Sequence, residues 1–363
     1  MPTVLLTGIT GFLAAHIAHS FLKHGWTVHG TLRSNSKRTA VEAVPEYAPY
    51  LASGHLKLFA VGPLESADWS AAIKGVDSVV HTASPVDFGQ DDFRENHLKP
   101  AVYGTKGVLQ AAAKEAGIKS VVVTSSIGAV GEWRYHPTEL KGRTFTENDW
   151  NPYTLEQLGE MSATQKSDNP VFPPSMLFYM GSKKYAELAA WDAQKEAKAQ
   201  GSDWSLATMN CVLIWGPPIQ PLSSLSQGGM STEFMWMLAG GKDKPIMPSL
   251  IPYYVDVRDA VEAHYEAAVR HTQGRFLISA GPYEPIKDYD FQEYADKLRD
   301  FYPAQADRFA LGSPGKYMYQ DPGVYDVSNE KSKRELGMTY RPHDETLKDT
   351  FDRFFELEKQ GLQ

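Results

Sequence analysis

The first half of the chain alternates short apolar, β-branched runs with helix-length stretches, the rhythm of a parallel sheet whose strands are joined by helices. Val4-Leu5-Leu6-Thr7 opens as a strand, and Phe12 to Lys23 follows as a helix. Further strands are predicted over Thr27–Leu32, Leu56–Val61, Asp77–Thr82 and Lys119–Ser125, with a long helix from Asp92 to Glu115 before the last of them. Val121-Val122-Val123 is a continuous apolar run, which suits a strand buried on both faces. Between Gly128 and Ser175 the periodicity stops, and Pro137, Pro152, Pro170, Pro173 and Pro174 mark the region as loop and short turns. Regularity returns with a helix from Tyr179 to Ala199 and a strand from Trp204 to Ile214. A strand near Tyr253–Val257 and helices at Asp259–Arg270 and Glu345–Leu357 are predicted beyond them.

Composition narrows the function. The 363 residues carry a formal net charge of −8 and no long basic stripe, so nucleic acid is not an expected partner. Cys211 is the sole cysteine, which excludes an intrachain disulfide and cysteine-rich structural zinc sites. The apolar start is only a few residues long and reads as a first strand, not a signal peptide. No apolar run approaches the roughly 18 residues that a membrane span needs. The expectation is a soluble cytoplasmic protein, monomer or homodimer.

Thr7-Gly8-Ile9-Thr10-Gly11-Phe12-Leu13-Ala14 joins the first strand to the first helix. Gly8 suits the positive φ of a tight turn, Gly11 lets a pyrophosphate approach the helix N-terminus, and Ala14 keeps the helix close to the sheet. Strand two ends in Arg33, followed by Lys37 and Arg38, where NAD-binding folds usually place an acid. A guanidinium there can grip a 2′-phosphate that a carboxylate would repel, which selects NADPH/NADP⁺.

Tyr179 and Lys183 are four residues apart, on one helical face. The spacing also occurs at Tyr283–Lys287, but Pro285 interrupts that pair. A phenol of pKa about 10 exchanges protons poorly near neutrality, and a neighbouring ammonium favours its ionised form. A second hydroxyl would polarise a substrate carbonyl. Ser125 and Ser126 both end strand five, where ligands sit in open α/β sheets, and alternation allows only one of them to face the substrate.

Taken in order, TGITGF, HTASP at His81–Pro85, VVVTSS at Val121–Ser126, YMGSK at Tyr179–Lys183 and YVDVRD at Tyr254–Asp259 resemble the extended short-chain dehydrogenases/reductases, over essentially the whole chain. The resemblance is to the group with fungal ketoreductases, methylglyoxal reductases and plant dihydroflavonol reductases. It implies a Rossmann-type doubly wound parallel sheet with a smaller C-terminal substrate domain. Residues 1–213 would bind NADP, with 251–272 returning to that domain, and 214–363 would mainly bind substrate. The implied activity is NADPH-dependent reduction of a ketone or aldehyde, with Ser126, Tyr179 and Lys183 catalytic. Gly8, Thr10, Gly11, Phe12, Leu13, Arg33, Lys37, Leu64, Thr82, Ala83, Ser84, Thr124, Tyr179, Lys183 and Val212 would contact the cofactor.

The chain departs from that group in places. Gly62-Pro63-Leu64 lacks an acid usual before the leucine, Cys211 stands where a proline is usual, and Gly131 replaces an asparagine of flavonoid reductases. Val86, Phe88, Trp133, Phe234 and Met237 outline an apolar substrate pocket, and the long 154–175 segment is expected near its mouth as a lid. Hydroxysteroid dehydrogenases and sugar-nucleotide epimerases or dehydratases share the scaffold, but Ser223–Gly241 holds no basic residue to grip a diphosphate. A non-catalytic NADP-sensing regulator would usually lack the Tyr and Lys. His16, His19 and His24 read as a surface histidine face, and no metal is expected.

Overall fold

The computed structural model describes residues 1–84, 92–162, 172–249, 251–281, 290–318 and 323–362. Seven strands form its main sheet: β1 (Thr3–Thr7), β2 (Thr27–Leu32), β3 (Leu56–Ala60), β4 (Ser78–His81), β5 (Ser120–Ser126), β7 (Ser205–Cys211) and β10 (Gly274–Ile278). The short strands β6 (Thr144–Phe145) and β11 (Asp326–Val327) pair with each other, as do β8 (Leu213–Trp215) and β9 (Tyr254–Asp256). The main sheet is parallel throughout, in the order β10-β7-β5-β4-β1-β2-β3. The strand order reverses between β1 and β4, which opens a crevice at their C-terminal ends.

Alternation along the strands feeds two cores. Val4 and Leu6 join Val28, Ile17 and Ala260 on one face, whereas Leu5 joins Val79, Val121 and Val108 on the other. Helices Phe12–Lys23 and Val257–Val269 cover the first face, and Lys99–Lys114 and Pro174–Ala199 cover the second. A third cluster, built on Trp215, Met235, Phe291, Phe309 and Phe351, belongs to the C-terminal part. The chain returns to the main sheet through β10, beside β7.

Four element predictions need correction. The helix holding Tyr179 begins at Pro174, because proline at the first helical positions costs no hydrogen bond and presets φ. The Asp92–Glu115 stretch is a π-helical turn, Phe93–Leu98, running into the helix Lys99–Lys114, with Pro100 at the junction. Trp204–Ile214 splits at Val212 into β7 and β8, which belong to different sheets. The presumed loop 128–175 contains β6 and the helix Leu155–Glu160, whose start is closed by Thr154 and Gln157 in a capping box.

Candidate active site

Gly8 has φ +73°, and a Cβ there would lie 3.1 Å from that of Ala83, so both backbone conformation and close approach demand glycine. Gly11 caps the helix Phe12–Lys23 without any side-chain hydrogen bond, leaving the helix N-terminus to an anion. The Thr82–Ala83 backbone is fixed from below by Thr7. Its Oγ1 accepts from the amides of Thr82 (3.1 Å) and Ala83 (3.0 Å), so its own hydrogen must go to His81 Nδ1, 2.8 Å away. Burial lowers His81 to about 3 and keeps the ring neutral, with its hydrogen on Nε2, 3.4 Å from Thr105 Oγ1.

Arg33 and Lys37 are exposed at the end of β2 and line the same crevice. Among the described residues neither side chain forms an ion pair. Arg38 differs: it bonds Asn35 Oδ1 and the Leu58 carbonyl, each at 3.0 Å, and pairs with Glu42. The basic trio of the sequence therefore divides into two cations that face the crevice and one with a structural role.

Strand alternation separates the two serines. Ser125 Oγ donates to Glu187 Oε2 at 2.5 Å, while Ser126 Oγ accepts from the Gly128 amide at 3.0 Å and is hydrogen-bonded to Tyr179. Burial pushes Tyr179 up to about 12, so the phenol keeps its proton at neutral pH despite that bond. Burial also lowers Lys183 to about 8. Its Nζ donates to the Thr124 carbonyl at 3.4 Å and lies 5.9 Å from the centre of the Tyr179 ring. Thr124 is held in turn by His264. The Nδ1 of His264 must donate to the Ala260 carbonyl at 2.7 Å, so its Nε2 accepts from Thr124 Oγ1 at 2.8 Å.

These groups line one cleft of about 1140 Å³, above the roughly 300–1,000 Å³ of an ordinary small-molecule site. Gly8, Thr10, Gly11, Phe12, Leu13, Arg33, Lys37, Leu64, Thr82, Ala83, Ser84, Thr124, Ser126, Tyr179, Lys183 and Val212 all border it. The wall on the C-terminal side is mainly apolar, with Ile214, Trp215, Met230, Phe234, Met247 and Phe291. Most of these were missed in the sequence, because they come from irregular connections whose path no periodicity reveals. Trp215 was the findable one, since it precedes the Gly216-Pro217 pair that ends the second strand motif.

Three expectations do not fit this cleft. Trp133 is 1% exposed and belongs to the core, where its indole donates to the Gly128 carbonyl at 3.0 Å and meets Phe172 edge-on. Met237 is half-exposed and away from the cleft, unlike Phe234 one turn earlier on the same helix. His16 is half-buried and not a freely solvated face residue: its Nε2 donates to the Pro217 carbonyl at 2.9 Å, and desolvation lowers it to about 4. Val86, Phe88, Pro85, Tyr283–Lys287 and the centre of the 154–175 segment (163–171) lie outside the described residues. Among the described residues, no group of three His, Cys, Asp or Glu could hold a metal ion, and no helix is long and apolar enough to cross a membrane.

A glycine turn, a cationic pair at the end of β2 and a Ser–Tyr–Lys cluster thus border one crevice at the C-terminal ends of a parallel sheet, where open α/β folds bind ligands. The chain belongs to the NAD dependent epimerase/dehydratase family, which it matches over residues 4–278. It is 31% identical over 347 residues to a ketoreductase of Aspergillus niger, covering 93% of each chain. It is 29% identical over 371 residues to the NADPH-dependent methylglyoxal reductase of Saccharomyces cerevisiae, covering 98% of this chain and 99% of the other. The crystal structure of yeast methylglyoxal/isovaleraldehyde reductase complexed with NADPH superimposes with a TM-score of 0.80 at 27% identity, covering 99% of both chains.

Proposed function

We propose that this protein is an NADPH-dependent carbonyl reductase in which Tyr179 protonates the oxygen of a ketone or aldehyde. The observation that carries the reading is the junction, in one cleft, of a phenol that holds its proton, a hydroxyl bonded to it and a buried ammonium beside it. The names of the ketoreductase and methylglyoxal reductase relatives support the same chemistry. NADPH, when bound, supplies the hydride.

The residues fit that cofactor. The Gly8–Gly11 turn and the uncapped helix N-terminus would hold the pyrophosphate, Arg33 and Lys37 the 2′-phosphate, and Thr82, Ala83 and Thr124 the nicotinamide end. Ser126 donates a hydrogen bond to the substrate oxygen and polarises the carbonyl. Tyr179 gives its proton to that oxygen as charge develops there, and the Lys183 ammonium stabilises the phenolate left behind.

The apolar wall favours hydrophobic ketones, aldehydes and keto esters, and such pockets discriminate weakly among hydrocarbon shapes. Among the described residues, no lysine or arginine borders that wall to grip a sugar diphosphate. Oxidation of NADPH with a panel of apolar carbonyls tests the reading. Broad turnover is expected, and activity confined to one charged or sugar-nucleotide substrate would overturn it.

A further inference from the structure

Behind the Ser–Tyr–Lys cluster lies a buried ion pair that the chemistry above does not use. Glu187 stands one helical turn beyond Lys183 and is 1% exposed. Its carboxylate draws donors from three neighbouring strands. Ser125 Oγ (2.5 Å) and Asn210 Nδ2 (2.7 Å) hold Oε2, and Thr208 Oγ1 (3.0 Å) and Arg275 Nε (2.6 Å) hold Oε1. Arg275 is itself buried, lies over the Trp150 ring at 3.7 Å, and donates to the carbonyls of Glu147 (2.6 Å) and Asp149 (2.7 Å). Desolvating such a pair costs several kcal/mol per ion, and apolar or neutral replacements often cost nothing. All four partners donate to the carboxylate, which a glutamine amide nitrogen could not accept, so the site selects an anion opposite Arg275, and that buried charge can serve a second role.

The groups facing Lys183 point to one. On its own helix are Tyr179 and Glu187, on β7 is Cys211, on β4 is His81, and on β5 is the Thr124 carbonyl. Burial keeps Tyr179, Cys211 and His81 neutral near pH 7, with the first two pushed up to about 12 and the last lowered to about 3. Glu187, one turn away on the same helix, is therefore the anion whose charge acts on Lys183, with no direct ion pair between the two among the described residues. Burial drives Lys183 toward its neutral form, and the Glu187 carboxylate opposes that drive.

We propose that Glu187 is a positioning residue for carbonyl reduction: its negative charge holds the Lys183 side chain as an ammonium, while Ser125 and Asn210 lock that carboxylate to the strand end bearing Ser126. The inference rests on the reading of Lys183 as catalytic, and the experiment separates the two. The kcat–pH profile is measured with saturating NADPH and ketone, for wild type, Glu187→Gln, Glu187→Asp and Lys183→Met. The wild-type alkaline limb is expected near the lysine's value of about 8. In Glu187→Gln the limb moves down by about one pH unit, the scale of losing one nearby opposite charge, with NADPH affinity unchanged. Glu187→Asp restores most of the shift.

A merely structural residue would lower stability in both variants and leave the limb in place. Should Glu187→Gln strand Arg275 and fail to fold, the double variant Glu187→Gln/Arg275→Gln is compared with Arg275→Gln alone, and its limb is expected to lie lower than that of the single Arg275→Gln variant, by about one pH unit. An unshifted limb in a folded variant overturns the proposal for Glu187. Turnover surviving in Lys183→Met overturns the catalytic reading itself, and this proposal with it.

Discussion

Replacing Arg33 with alanine should change which coenzyme the protein prefers. The side chain is exposed at the end of β2, borders the cleft and forms no ion pair among the described residues. It is therefore available to the 2′-phosphate that distinguishes NADPH from NADH. A hydrogen bond to a charged group contributes about 1.5–3 kcal/mol. Exposure and salt screening place this one in the lower half of that range, and Lys37 remains to compensate. At about 1.4 kcal/mol per factor of ten, the ratio of kcat/KM for NADPH over NADH should fall about ten- to thirtyfold. The loss should fall on the NADPH value alone. Initial rates with each coenzyme at saturating ketone measure it, and raising the ionic strength should erode the wild-type preference but hardly affect the variant. A wild-type enzyme that prefers NADH, or an alanine variant that keeps its discrimination, would refute the assignment.

Ser126→Ala should lower kcat by about 10²–10³, the scale of one lost transition-state donor. Ser125→Ala should cost far less, and equal losses in stopped-flow rates would mean that the wrong serine bears the role. Thr7→Val leaves the Thr82 and Ala83 amides without their acceptor, so stability should drop by about 1–3 kcal/mol and NADPH binding should weaken, both readable by thermal shift with and without cofactor. Stability should also fall in acid. His16 and His264 are lowered to about 4, and His81 and His343 to about 3, from 6.5. Between those values and 6.5 the unfolded chain binds more protons, so the stabilisation present above 6.5 is lost as pH falls toward 4. Asp259, raised to about 6, and Asp290, also raised by burial, work in the opposite direction but are outnumbered by the histidines. A Tm that stays flat from pH 6.5 to 4.5 would contradict this.

The nucleotide half was readable because its signals are local. A buried parallel strand must be a continuous apolar run, and the Gly8 turn admits no other residue, so both leave marks in consecutive positions. Tyr179 and Lys183 stand out as a candidate pair for the same reason, being one helical turn apart. The Ser125/Ser126 choice could not be settled by spacing, since alternation says that the two diverge but not which way each points. In space, Glu187, sixty-two positions away in the chain, takes Ser125, while Ser126 meets Tyr179. The substrate wall was harder still. Trp133 and Met237 were plausible by type, yet one is spent on the Gly128 carbonyl and the other faces outward. Prolines also carry two meanings: Pro173 and Pro174, which suit a loop, here start a helix.

In the proposed reaction the Tyr179 hydroxyl delivers the proton. Tyr179→Phe removes one oxygen and keeps the ring, so the fold and the cofactor cleft should survive. Titrating the variant with NADPH, and following ketone reduction in the same preparation, tests the claim directly. Wild-type NADPH affinity with turnover abolished is the expected result. A Tyr179→Phe enzyme that binds NADPH and keeps a near-normal kcat would contradict it.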